Sequence, residues 1–336
     1  MSKAVLSGED LRAMLQRVFE NSKTAPHNAA SVAEALVAAE LAGQNGHGLR
    51  RVASYVAQAK SGKVDGYATP QAGKTAAAAL RVDAAHGFAY PALDLAFKHL
   101  PAMAREFGIA IGGITRSHHC GVAGVVVERY AEEGLVALLF ANTPAAMAPW
   151  GGSKGLFGTN PIAFAAPVKG GFPIVVDVSL SKVARGKIMA ASQAGEAIPE
   201  GWALGPHGES TTNPDDALQG TMVPLGDAKG MALALMVELL AASLNGANTG
   251  DEASSFFEAD GPPPGVGQTL IVIDPAKLGG EAVLSHFTAL AEKISNQQGA
   301  RVPGHRRAQL REAMVRDGVE VDEGLLVSLQ AMADEA

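Results

Sequence analysis

A chain of 336 residues with 47% apolar, 18% charged and 5% aromatic side chains can bury a substantial core and form more than one domain, which excludes disorder as its main state. A formal net charge of −7, with no extended run of Lys or Arg, excludes nucleic acid as the expected partner. The single cysteine, Cys120, has no partner for an internal disulfide, the N-terminal MSKAVLSGEDLRAML carries charges where a signal core would be apolar, and no uninterrupted apolar run approaches about 18 residues; a cytoplasmic protein with no membrane partner is expected.

Ser7 ahead of Glu9 and Asp10 predicts a helix start, and Leu11, Met14, Leu15, Val18 and Phe19 then repeat at helical spacing. A second, Ala-rich helix is predicted over residues 29–41, stopping at Gly43, Asn45 and Gly46. A third over residues 49–60 would put His47 at its N-terminus, with Arg51 and Tyr55 one turn apart on one face. From about Ile109 the pattern turns to short β-type runs, IAIGGI, LVALLFAN, PIVVDVS and TLIVIDP, between Gly-rich loops and Ala-rich helices, so the fold class is mixed α/β. Residues 229–244 are apolar almost all round except for Glu238 and predict a buried helix behind the site. EASSFFEADGPPPGVG is a loop too long for a tight turn, HRRAQLREAM re-enters helix, and the tail from Arg311 reads as helical and charged.

The stretch from Gly158 to Lys187 carries the strongest chemical signal: an uncharged strand-like run ends in Asp177, small polar residues and ARGK. Polar chemistry confined to a strand end is how a ligand crevice is built, so a small-molecule enzyme is expected. The loop SHHCGVAG, between a strand and a helix, could bring a phosphate onto backbone N–H groups at a helix N-terminus, or its glycines could serve packing alone. It is not G-x-G-x-x-G, and LVALLFANT ends in Asn142 where a Rossmann strand would carry an acidic residue, which argues against a Rossmann domain. His118 and His119 point to opposite sides on extended backbone and have no further ligand at metal spacing, so no metal is expected; one should face the site while the other packs. His47 and Arg51 could pair a proton donor with a carboxylate clamp, or be a surface histidine at a helix cap. Arg185 and Lys187 could serve an anionic substrate or be solvated, and PGHRR, Pro303 to Arg307, could hold the 2′-phosphate of NADPH or open a surface helix.

Taken in order, GHGLRRVASY, SHHCGVAG, GTNPIAFAAP, DVSLSKVARGK, IPEGWAL, TNP, DAKG and PGHRR resemble the malate/L-lactate dehydrogenase type-2 oxidoreductases, over roughly residues 7–310. Within that group the likeness is greatest to the Δ1-piperideine-2-carboxylate/Δ1-pyrroline-2-carboxylate reductases. The resemblance implies a non-Rossmann NAD(P)-binding α/β fold with a central mixed sheet, and a homodimer. It implies an N-terminal helical, substrate and dimerisation region (1–110), an NADP-binding domain (111–290) and C-terminal helices returning to the N-terminal region (291–336). By the same likeness His47 is the proton donor, Arg51 binds the substrate carboxylate, and Thr159 and Arg185 are further substrate contacts. The cofactor site falls on His119, Cys120, Gly121, Val122, Ala123, Asp177, Val178, Ser179, Ala228, Lys229, Pro303, Gly304, His305, Arg306 and Arg307. The cofactor implied is NADPH, with NAD possible.

Two positions depart from those reductases: Gly46 stands where they carry Ser, and Lys187 where they carry Asp. Lys187 matches 2-hydroxyacid members, and a lysine near His47 would lower its pKa, which puts Lys187 among the catalytic residues. The first expectation is NADPH-dependent reduction of a cyclic imino acid to L-proline or L-pipecolate. The alternatives are a malate/lactate-type 2-hydroxyacid dehydrogenase, and a nucleotide-binding protein without turnover.

Overall fold

The computed structural model describes residues 2–335. Strand β1 (Lys3–Leu6) leads into α1 (Gly8–Glu20), whose first turn is capped by Ser7 accepting the Asp10 N–H, as the sequence pattern predicts. Helix α2 (Pro26–Leu41) begins three residues earlier than expected because Pro26 supplies a ready helical φ at its first position. The third helix begins later than expected: two 3₁₀ turns, Asn45–His47 and Leu49–Arg51, precede α3 (Val52–Ser61).

A segment with no element expected from sequence then forms a hairpin, β2 (Gln71–Ala76) and β3 (Ala79–Asp83), and the long helix α4 (Ala89–Phe107). After it come β4 (Ile109–Ser117), α5 (Ala123–Glu132), β5 (Val136–Ala141), β6 (Ile162–Ala166) and β7 (Ile174–Val178). Helix α6 (Arg185–Ala194) is followed by a small sheet of β8 (Ala203–Leu204), β9 (Ser210–Thr211) and β10 (Thr221–Met222), with α7 (Pro214–Gln219) between the last two. Then follow α8 (Ala228–Ala241), β11 (Val266–Ile273), α9 (Pro275–Gly279), α10 (Val283–Ser295), α11 (His305–Asp317), β12 (Val319–Asp322) and α12 (Glu323–Asp334). The tail is thus not helical throughout: Gly318 ends α11, and β12 pairs antiparallel with β1.

Seven strands form one mixed sheet in the order β2-β3-β4-β11-β5-β6-β7, in which only β3 and β4 run parallel. Helices α4 and α5 pack on one face and α8 on the other, so β11 is buried along most of its length, apolar from Leu270 to Ile273, with its buried Gln268 and Thr269 donating to the carbonyls of His118 and Leu240. The main core runs from the N-terminal helices through α4, α5 and the sheet to β12 and α12. A second cluster lies beneath α6, α7 and α8.

Helix α8 corrects the expectation of full burial. It seats Gly230, Ala234, Val237, Glu238 and Ala241 against the sheet, while Leu233, Leu235, Met236 and Leu239 remain 42%, 41%, 38% and 54% exposed. With the turn that follows it is long and apolar enough, by length and composition, to cross a membrane. Its one acid instead ties it to this fold: Glu238 accepts from Asn142, Asn160 and the N–H of Gly250, and desolvation raises its carboxyl pKa.

Candidate active site

The site begins where α2 ends. Glu40, buried on the last turn of α2, reaches forward to accept the N–H of Leu49 at 2.7 Å. Burial pushes that carboxyl up while the Leu49 N–H and Arg50 pull the other way. Gly48 lies against this carboxylate, and a Cβ there would collide with it, so a side-chain-free residue is required for the corner to close. The two 3₁₀ turns follow from this clamp, and they present His47 and Arg51 on the same side.

Arg51 donates from Nε to the carbonyl of Gly46 at 2.9 Å, and its guanidinium lies 4.3 Å above the ring of Phe257. Its Nη1 is buried without a partner among the described residues. A buried guanidinium donor left open is suited to an arriving carboxylate, which it can grip with two parallel hydrogen bonds.

His47 stacks on His119 at 5.1 Å between ring centres, with Nδ1 of the first 3.2 Å from Nε2 of the second. Burial first, and then the Arg51 charge, push the His47 pKa down to about 4, so the imidazole is neutral at pH 7. The cation acting on it is therefore Arg51. Lys187 is exposed on the first turn of α6, its ammonium makes no hydrogen bond or ion pair among the described residues, and it is not one of the charges that shift His47.

The paired histidines divide as their opposite orientations predict. His119 joins His47, whereas His118 hydrogen-bonds Gln58 at 2.8 Å and packs edge-on against Tyr55 and Phe88. Phe256 closes the roof, 5.1 and 5.3 Å from the two rings. The loop carrying Phe256 and Phe257 is anchored by Lys63, whose ammonium donates to the carbonyls of Ser255, Glu258 and Asp260 at 2.8, 3.0 and 3.1 Å. Gln58 adds a bond to Glu258 at 3.1 Å. Tyr55, Gln58, Lys63, Phe256 and Phe257 were not singled out as site residues from sequence; two adjacent phenylalanines in an otherwise polar loop were the available signal.

The second half of the site lies at the end of β7. Asp177 accepts the N–H of Gly124, in the first turn of α5, at 3.0 Å and approaches Nη1 of Arg307 at 3.4 Å. The helix end read as a phosphate cradle is thus partly filled by the protein's own carboxylate. A Cβ at Gly124 would strike both Asp177 and Arg307, so glycine makes this junction possible. Cys120 is buried beside it, its thiol pushed up to about 12 by burial and then by Asp177. Gly121 turns at φ +69 against Tyr90, while Val122 and Ala123 are buried. The Pro303 carbonyl accepts the Val175 N–H at 3.0 Å, which fixes Gly304, His305 and the start of α11 against β7.

Thr159 donates its N–H to the Thr143 hydroxyl oxygen at 2.9 Å, and half-buried Arg185 donates to the Leu218 carbonyl at 2.9 Å. Ser179 lies 3.3 Å from the Ser181 hydroxyl, and Val178, Ala228, Lys229 and Arg306 are exposed. The structure therefore joins His47, Arg51 and His119 in one cluster and Gly124, Asp177 and Arg307 in another. Lys187, Lys229 and Arg306 stand apart from both. No group of three or more His, Cys, Asp or Glu among the described residues is placed to hold a metal.

A proton-bearing imidazole and an open guanidinium beneath an aromatic roof, on a mixed α/β sheet without the dinucleotide fingerprint, define an oxidoreductase of the non-Rossmann class. Residues 6–330 match the family model described as malate/L-lactate dehydrogenase, and the chain belongs to that family, an NAD(P)H-dependent group. It is 51% identical over 301 residues to the (2R)-3-sulfolactate dehydrogenase (NADP(+)) of Chromohalobacter salexigens, covering 90% of both chains. It is 42% identical over 328 residues to a Δ1-pyrroline-2-carboxylate/Δ1-piperideine-2-carboxylate reductase of Pseudomonas putida, covering 96% of this chain and 95% of the other. The crystal structure of Δ1-piperideine-2-carboxylate reductase from Pseudomonas syringae superposes with a TM-score of 0.93 at 38% identity, covering 98% and 99% of the two chains.

Proposed function

We propose that this oxidoreductase is an NADP(H)-dependent dehydrogenase that interconverts a 2-oxo acid and its 2-hydroxy acid, with a substrate carrying a second anionic group. The observation that carries the reading is the open, buried Nη1 of Arg51 beside a neutral His47. Arg51 holds the C1 carboxylate and thereby fixes C2 next to the imidazole. When bound, the reduced nicotinamide supplies a hydride to C2. His47 donates its Nε2 hydrogen to the C2 oxygen as that oxygen becomes an alkoxide, and regains a proton from water; a neutral imidazole is a competent electrophile in such a step. Phe256 and Phe257 exclude water from the reacting face.

The chain's residues suit the cofactor. Arg307 carries a buried Nη1 that makes no hydrogen bond among the described residues beyond its 3.4 Å approach to Asp177, next to the N-terminal turn of α5, where an anion is favoured. Asp177, Val178, Ser179, Ala228 and Lys229 would line the nucleotide, with Arg306 and Arg307 toward a 2′-phosphate. His119 turns one ring nitrogen to His47 and the other to Tyr55, so its part is played toward the proton donor.

Preference for a second anionic group rests on Arg185 and Lys187, two cations after β7, one standing where the resembled imino acid reductases carry an acid. The 51% relative is named for a substrate that bears both a carboxylate and a sulfonate. This reverses the order given by motif likeness alone. Cyclic imino acid reduction remains the second reading, favoured by the Phe256–Phe257 roof, which suits an apolar ring. We also place the enzyme in the cytoplasm, on the strength of its free, buried Cys120. The exposed leucines of α8 support a homodimer, to be checked by light scattering.

Loss of NADPH absorbance is the test, with 3-sulfopyruvate, oxaloacetate, pyruvate and Δ1-pyrroline-2-carboxylate. The proposal predicts the fastest turnover with the two dianions. It also predicts that Lys187→Ala raises their KM by about 2–5-fold, the worth of an exposed ion pair, without changing that of pyruvate. Turnover confined to the cyclic imine would establish the second reading.

A further inference from the structure

The ring of His47 is the open end of a buried hydrogen-bonded chain. Its Nδ1 meets Nε2 of His119 at 3.2 Å, Nδ1 of His119 meets the Tyr55 hydroxyl at 2.6 Å, and that hydroxyl meets the one on Tyr90 at 3.1 Å. The four residues come from the 3₁₀ turn, the loop after β4, α3 and the first turn of α4. His119, Tyr55 and Tyr90 are buried. Burial lowers the pKa of both imidazoles and raises that of both phenols, so all four groups are neutral at pH 7.

A neutral imidazole carries one N–H and a phenol one O–H, so the chain can be filled with hydrogens in only two concerted ways. Running toward His47, Tyr90 donates to Tyr55, Tyr55 to Nδ1 of His119, and Nε2–H of His119 to Nδ1 of His47. His47 then carries its hydrogen on Nε2. Running the other way, His47 donates from Nδ1, His119 from Nδ1 to Tyr55, and Tyr55 to Tyr90. The Tyr90 O–H then has no acceptor among the described residues, because its one hydrogen-bond partner is Tyr55. A buried donor left unmatched loses its hydrogen bond to water without replacement, whereas the first arrangement leaves none.

We infer that Tyr55 is a positioning residue for the reaction: through His119 it fixes His47 in the Nε2–H form, so that the one hydrogen of that imidazole faces the substrate. The inference rests on His47 being the proton donor. Gly46 and Lys187 make no bond to the His47 ring, so His119 and Tyr55 hold its tautomer from the opposite edge. Tyr90 is dispensable for this polarity. Without it, Tyr55 becomes the dead end, and the reversed chain would still strand a buried O–H.

The test needs no substrate at its first step. Long-range ¹H–¹⁵N correlation of the resting protein, with His47→Gln and His119→Gln to assign the peaks, should show both rings protonated on Nε2. Kinetically, Tyr55→Phe should lower kcat by at least about tenfold, short of the ~10⁴-fold found where a triad imidazole is left in the wrong tautomer. It should leave the NADPH Kd and the substrate KM unchanged within a factor of about two, and its His47 peaks should show a mixture of tautomers. Tyr90→Phe, an equally buried loss of one hydroxyl, should keep kcat within about threefold, a contrast that a merely structural role would not produce. Wild-type His47 protonated on Nδ1 would overturn the inference, as would Tyr55→Phe with normal kcat or equal kcat losses in both variants. A wild-type protein that turns over no carbonyl or imine would instead defeat the proposed function and leave the tautomer result standing.

Discussion

The two halves of the site are built on opposite terms. Around His47 most polar groups are already held: Glu40 grips the corner, His119 and Tyr55 back the imidazole, Lys63 pins the roof and Phe257 supports Arg51. Around Asp177 the contact is loose, with Arg307 at 3.4 Å, and Arg306, Lys187 and Lys229 are exposed beyond the cluster. Preorganisation therefore sits where the proton moves, and adaptability sits where the anions bind. Substitutions in the first half should act on kcat or substrate binding, and those in the second on cofactor binding.

His47→Ala offers the largest expected effect and the most direct way to break that division. Removal of a general acid lowers kcat by about 10²–10⁴-fold, and NADPH fluorescence titration should give an unchanged Kd. A parallel loss of NADPH affinity would show that the halves are not separable. Arg51→Ala comes next. Hydrogen bonds to a charged group are worth about 1.5–3 kcal/mol, so the substrate KM should rise by roughly 10–100-fold, with the smaller change in kcat. A normal KM would refute the clamp. Gly124→Ala probes the other half, because its methyl group pushes into Asp177 and Arg307. An NADPH KM raised by about tenfold with kcat retained is expected, the equivalent of about one lost hydrogen bond. A fall in kcat alone would place Gly124 with the proton-handling half.

The contrast between the halves also governs what could be read from sequence. The first and second helices and four of the seven sheet strands were legible because apolar periodicity and β-type runs are local properties. The hairpin β2–β3 and helix α4 were not, since Gln71–Ala76 is exposed throughout and the Ala-rich run ahead of β3 carries no clear period. His47 and Arg51 were visible as a spacing, but the 3₁₀ turns that aim them depend on Glu40 reaching across from α2, a contact nine residues apart in sequence. Tyr55 was placed on one face with Arg51, yet its hydroxyl gains meaning only from His119, 64 residues away. The exposed leucines on α8 were hidden for the opposite reason: an all-apolar helix reads as buried, and only the fold shows which face the sheet leaves open.

Acid titration of the folded protein separates the halves without any substitution. His47 and His118 are pushed down from 6.5 to about 4 and about 3, in both cases by burial first, and His119 is lowered well below 6.5 for the same reason. Above pH 6.5 these imidazoles are neutral whether the chain is folded or not, and they cost nothing. Below it the unfolded chain binds protons that the folded chain refuses, so stability falls as the pH drops from 6.5 toward about 4. Glu40 and Glu238 act with the opposite sign: burial raises their carboxyls above 4.5, so the folded chain takes up protons there before the unfolded one does, which offsets part of the loss. Urea midpoints measured between pH 7.5 and pH 4.5 should therefore decline. The decline should be shallower in His118→Gln, which keeps a bond to Gln58 within reach and cannot take a proton. A flat profile, or one unchanged by that substitution, would mean that the buried histidines can be protonated within the fold, and that the half around His47 is as adaptable as the half around Asp177.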